Sequence, residues 1–86
     1  MKHFANPSFW GGHQRLPKAI QQLANKNFKL LKTDPHHPSL HLKKVRRFWS
    51  VRIGLKHRAL AYETEGDLIW FWIGTHGEYD KLIKED

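Results

Sequence analysis

Four residues in this chain combine reactive side chains with suggestive spacing: Arg52, Arg58, His76 and Tyr79. Arg52 and Arg58 fall in two neighbouring runs of strand-forming residues separated by a short turn. Antiparallel pairing of those runs would bring the two guanidinium forks close together on one sheet face. Such forks match the oxygens of a phosphate. The competing reading is two exposed strand residues, or one of the arginines paired with Glu63. His76 and Tyr79 are three apart and would point to one side of a helix start. A histidine can exchange a proton near neutral pH, and a helix N-terminus favours an anion. Tyr79 could stack on a base or donate its hydroxyl, but it fits equally well into an apolar helical stripe with Leu82 and Ile83. Glu78, three residues after Thr75, reads as the reciprocal partner of a capping box rather than a catalytic acid.

A second group, Lys43, Lys44, Arg46 and Arg47, forms a basic cluster. Such a run is usually a solvated face; it also suits contact with a nucleic-acid backbone, where it would add affinity rather than chemistry. His36, His37 and His41 are close in sequence, yet the chain has no cysteine and only Asp34 is a nearby carboxylate. A metal site is therefore not favoured, and no cofactor is expected. The four tryptophans, Trp10, Trp49, Trp70 and Trp72, are expected in the core or at a partner interface.

These residues need elements to position them. Phe48–Ile53, His57–Glu63 and Leu68–Ile73 are rich in aromatic and β-branched residues and are separated by Gly-containing gaps, the mark of consecutive hairpins. In the first run Trp49, Val51 and Ile53 alternate with Phe48, Ser50 and Arg52. The period of two assigns the former to a helix-covered face and the latter to an open one. Ala59 and Ala61 would let a helix approach closely, while Leu68–Ile73 is apolar on both faces, as in a strand covered twice. Upstream, Ile20, Leu23, Ala24, Phe28 and Leu31 recur at three and four, which predicts a helix over 17–33 ended by Asp34-Pro35. A shorter helix, Ser8–Leu16, follows Pro7 and is weakened by Gly11-Gly12. Leu40–Val45 reads as a fourth, exposed strand or an irregular approach to one. The capping box predicts a final helix, Glu78–Lys84. The fold class is α+β: two N-terminal helices on a twisted antiparallel sheet of three to four strands, with a short C-terminal helix.

Eighty-six residues make one domain, 1–86, with a modest core. No apolar run is long enough for a membrane span, and the first residues lack a signal-peptide pattern; a cytoplasmic location is the expectation. The formal net charge is +7, unevenly spread. Residues 1–62 hold thirteen Lys and Arg against Asp34 alone, whereas residues 63–86 hold two against seven acids. A basic body of this kind suits a phosphate polyanion or an acidic protein partner.

The order Trp49-Ser50-Val51-Arg52-Ile53-Gly54, His57-Arg58-Ala59-Leu60 and Trp70-Phe71-Trp72-Ile73-Gly74-Thr75-His76-Gly77-Glu78-Tyr79-Asp80-Lys81-Leu82 resembles the RelE/ParE toxin superfamily, and within it the small ParE-like toxins of bacterial type II toxin–antitoxin pairs. Asp34–Lys44 fits the same subgroup, and the similarity spans about residues 16–83. The resemblance implies a toxin silenced by a cognate antitoxin that lays an amphipathic segment over it. One branch of the superfamily cuts mRNA, usually on the ribosome; another poisons DNA gyrase. By resemblance, Arg58 matches the arginine that contacts the scissile phosphate in the nuclease branch and Arg52 a basic position on the preceding strand. His76 and Tyr79 lie where that branch keeps its C-terminal basic, histidine and tyrosine groups, and Ser50 stands where some members have a lysine. Superfamily members usually open with a β-strand. Met1–Asn6 is a poor strand, so the sheet edge is expected to differ.

The expected activity is a metal-independent endoribonuclease that inhibits translation. Arg52, Arg58, His76 and Tyr79 would form its catalytic group, with Lys43, Lys44, Arg46 and Arg47 holding RNA, free or on the ribosome. The alternatives are a non-enzymatic inhibitor of DNA gyrase and an inactive antitoxin-binding module.

Overall fold

The computed structural model describes residues 1–85. In chain order the elements are β1 (His3–Ala5), α1 (Pro7–Gln14), α2 (Lys18–Thr33), a 3-10 turn (Pro38–Leu40), β2 (Lys43–Val45), β3 (Phe48–Ile53), β4 (His57–Thr64), β5 (Asp67–Thr75) and α3 (His76–Glu85). The strands form one sheet in the order β1-β5-β4-β3-β2. This is the α+β arrangement expected, with five strands instead of three or four.

The additional strand corrects the reading of the N-terminus. His3–Ala5 pairs in parallel with Leu68–Trp70, so the sheet is mixed and does open with a strand. Its anchoring comes from the partner: Leu68 N–H donates to Lys2 O, Asn6 N–H to Trp70 O, and the Trp70 indole to His3 Nδ1 at 3.1 Å. At the opposite edge, Leu40 belongs to the 3-10 turn and is buried, leaving only Lys43–Val45 as strand.

Local chemistry explains the hairpins and helix ends. The β4–β5 turn has two central residues, Glu65 and Gly66, both at positive φ (52° and 82°), the geometry that matches strand twist. Asn6 caps α1 by accepting from Phe9 N–H, with Pro7 in the first turn. Gly12 has a packing reason: a Cβ there would come within 3.1 Å of Ile73 O, so glycine lets α1 lie against the edge of β5.

The core lies between the helices and one sheet face. Ala24 and Leu31 of α2 and Phe9 of α1 meet Val51, Ile53, Ala59, Ala61, Trp70 and Ile73. The small Ala59 and Ala61 are fully covered, as close helix approach requires. Asn27 is the buried polar exception in α2; its side-chain amide donates to Arg52 O at 3.1 Å. That bond ties the helix to the strand whose other face carries the arginine head. No helix among the described residues is long and apolar enough to cross a membrane.

Candidate active site on the open sheet face

The face away from α1 and α2 is built in rows, because residues paired in register point the same way. Arg52 and Arg58 are partners across the β3–β4 ladder, and Gly74 of β5 completes their row. The next row holds Lys43, Ser50, Leu60 and Trp72. α3 folds back onto β4 and β5 and covers part of this second row.

The arginines are half-buried and close enough to repel. Burial lowers the Arg58 pKa, and the Arg52 charge adds to the effect, while Tyr79 and the Asp80 carboxylate oppose it. A guanidinium stays charged through such a shift. Arg58 Nη1 donates to His57 O at 2.9 Å, which fixes one edge of its fork. Arg52 Nε is buried and has no hydrogen-bond partner among the described residues. Two like charges facing each other, one with a buried unused donor, form a site that an anion would stabilise.

Tyr79 lies on α3 with 5 % of its surface exposed, and its hydroxyl donates to Ser50 Oγ on β3 at 3.4 Å. The core reading of this residue and the site reading meet here: the ring is buried, and its polar tip ends on the arginine-bearing face. His76 stands beside it, ring centroids 6.2 Å apart. His76 Nδ1 lies 3.0 Å from Asp80 Oδ2, one helical turn on, and both side chains are about half exposed (49 % and 51 %). A carboxylate at Nδ1 fixes the tautomer and leaves Nε2 outward, the arrangement of a histidine used for proton transfer.

The start of α3 is held as a capping box. Thr75 N–H and Oγ1 both donate to Glu78 Oε1 at 3.0 Å, and Glu78 N–H donates to Thr75 Oγ1 at 3.2 Å. Those hydrogen bonds from Thr75 hold the Glu78 carboxyl below its usual pKa. His76 N–H also donates to Lys56 O at 2.7 Å, which pins the helix start to the β3–β4 loop beside the arginines.

The basic cluster is divided by the sheet. Lys43 shares the open face with Ser50, whereas Lys44 pairs with Trp49 and lies on the helix-covered face. Arg46 and Arg47 form the β2–β3 turn, Arg46 at φ 56°, and the Arg47 guanidinium lies 5.3 Å over the Phe48 ring. Lys43 is thus the member aligned with the arginine rows. Sequence reasoning missed two features: Ser50 as the Tyr79 acceptor and Asp80 as the His76 partner. Spacing of i, i+4 could have found Asp80; the Ser50 contact depends on how α3 docks.

An arginine pair on an open sheet face, roofed by a short C-terminal helix, defines a small α+β protein suited to anions. Residues 18–81 match the ParE-like toxin domain, and the chain belongs to that family. This places it among toxins of toxin–antitoxin systems. The fold is similar to a YoeB/ParE toxin from Agrobacterium tumefaciens (20 % identity, TM-score 0.65, covering 88 % of this chain and 99 % of that one). It is also similar to a RelB–RelE antitoxin–toxin complex from Methanococcus jannaschii (11 %, TM-score 0.72, 92 % and 96 %). YafQ from E. coli shares it as well (12 %, TM-score 0.67, 91 % and 96 %). No curated protein matches.

Proposed function

We propose that this chain is the toxin of a type II toxin–antitoxin pair, a metal-independent endoribonuclease that inhibits translation and is neutralised by a cognate antitoxin. The observation that carries the reading is the register pairing of Arg52 with Arg58 on an open face that His76 and Tyr79 border. In RNA cleavage the 2′-oxygen loses its proton and attacks the adjacent phosphorus, the bond to the 5′-oxygen breaks, and that oxygen takes up a proton. Negative charge builds on the non-bridging oxygens, where Arg58 and Arg52 would donate. His76, oriented by Asp80, would accept or deliver one of the two protons, with water serving the other. Tyr79, whose ring is buried, would orient the phosphate through its hydroxyl rather than stack on a base. Lys43, on the open face, would hold RNA together with Arg46 and Arg47 of the adjoining turn, on the ribosome or off it, whereas Lys44 faces the other side of the sheet.

The antitoxin assignment rests on the family and on likeness to a toxin solved with its antitoxin. One observation favours a second reading, non-enzymatic inhibition of DNA gyrase: the Tyr79 ring is buried and its hydroxyl is used internally, so α3 restricts the open face.

RNA 5′-end mapping after brief expression without the antitoxin tests the proposal, beside Arg58→Ala and His76→Ala. New ends inside coding regions, absent in the variants, are expected. Growth arrest with intact mRNA, persisting in a His76→Ala/Tyr79→Ala double variant, would overturn it in favour of gyrase.

A further inference from the structure

Beyond the arginine and Lys43 rows, the same open face carries a belt of apolar side chains. Val45 pairs with Phe48 across β2 and β3, and Tyr62, Ile69 and Phe4 line up through register across β4, β5 and β1. The sixth member, Phe71, arrives through a bulge: Ala61 pairs with Trp70 and Leu60 with Trp72, so one residue of β5 is extra. A bulge of this kind turns consecutive side chains to one face. Phe71 duly meets Phe48 at 5.3 Å and Tyr62 at 5.8 Å between centroids. The belt is accessible: Phe4 is 49 % and Tyr62 41 % exposed.

We propose that this belt is a stacking platform for the unpaired bases of the nucleic acid whose phosphate sits at Arg52 and Arg58; it rests on the endoribonuclease reading. Three observations select that occupant. The belt lies on the same face as the arginine pair, four residues along β3, about 13 Å at ordinary strand rise, with the Lys43 row, partly covered by α3, between them. Its β2 side is basic: Lys43 separates the belt from the arginines, and Arg47 lies against Phe48. The nearest acid on β4, Glu63, is turned away and accepts from the Trp49 indole at 3.0 Å on the helix-covered face. Aromatic faces beside a basic track bind single strands through stacking, with little sequence preference. Bases must be unpaired to lie on such a platform, so the belt selects single-stranded substrate.

Equilibrium binding of a short, labelled, 2′-O-methyl RNA to the full chain tests this, because the probe lacks the nucleophile and cannot be cleaved. The same oligonucleotide with abasic sites is the second probe, and melting curves verify folding. Tyr62→Ala and Phe71→Ala are each expected to weaken binding about tenfold. The loss should vanish with the abasic probe, and the salt dependence should not change, since no phosphate contact is removed. Tyr62→Ala carries the test if Phe71→Ala does not fold. Unchanged affinity in Tyr62→Ala, while Arg58→Ala binds more weakly, would overturn the platform and leave the nuclease reading standing. Equal losses on both probes, or weakened antitoxin capture with intact RNA binding, would also overturn it. No RNA binding by the unaltered chain would remove the nuclease reading and the platform together.

Discussion

Arg52 and Arg58 face one another across the β3–β4 ladder as register partners, and like charges so placed destabilise a sheet. The chain carries this repulsion at the site where it would bind an anion. Arg52→Gln is therefore expected to raise stability by roughly 0.2–1 kcal/mol, the usual scale of a cross-strand pair. Arg58→Ala should reduce RNA cleavage at least about a hundredfold, the scale of a lost transition-state donor. Chemical denaturation and single-turnover cleavage check the two arms. A destabilised Arg52→Gln protein would show that the guanidinium supports the fold instead.

Tyr79 separates structure from chemistry by degree of truncation. Tyr79→Phe removes only the hydrogen bond to Ser50 and should cost about 0.5–1.5 kcal/mol. Tyr79→Ala empties a buried aromatic position and should cost about 3–5 kcal/mol. If the hydroxyl also orients substrate, Tyr79→Phe will lower cleavage while the protein stays folded. Full activity in that variant would assign the residue to packing alone.

The β4–β5 hairpin and the capping box were legible because each is written locally, in Glu65-Gly66 and in Thr75 with Glu78. The arginine pairing followed from the hairpin once strand phase was known. β1 was not legible: three residues pair with a strand 65 positions away, and nothing in Met1–Asn6 has strand periodicity. The bulge at Phe71 was hidden for a similar reason, since a run apolar on both faces carries no phase to interrupt. Tyr79 stayed ambiguous because its stripe and its hydroxyl serve different neighbours.

His3 gives the fold a pH dependence of defined sign. Burial lowers its pKa from the ordinary 6.5, the N-terminal amine and Lys32 add to the shift, and Asp67 opposes it. Nδ1 accepts from the Trp70 indole, so the folded state holds the neutral ring. As pH falls through 6.5 the unfolded chain takes up the proton first, and stability declines toward the lower folded value. The melting temperature should fall between about pH 7.5 and pH 5.5, and His3→Gln should flatten that slope. Parallel slopes in the two proteins would place the effect on another histidine.

Gly74 links the sheet to the helix that closes the site. A Cβ there would lie 2.5 Å from Trp72 Cζ2 and 2.9 Å from Glu78 Oε1, in the row shared with Arg58. Gly74→Ala must therefore displace the Trp72 ring, the capping carboxylate, or both. Overpacking of this kind costs about 1–3 kcal/mol. The carboxylate is the partner with a pH readout: its low pKa comes from Thr75, so the stability it contributes is lost as pH falls through the acid range. In Gly74→Ala that acid-range loss should shrink, because the bonds causing it are already broken. Thr75→Ala, which removes the same box without crowding Trp72, should shrink it equally at a smaller cost of about 1 kcal/mol. An unaltered acid-range profile in Gly74→Ala would mean that the tryptophan alone yields and the start of α3 is undisturbed.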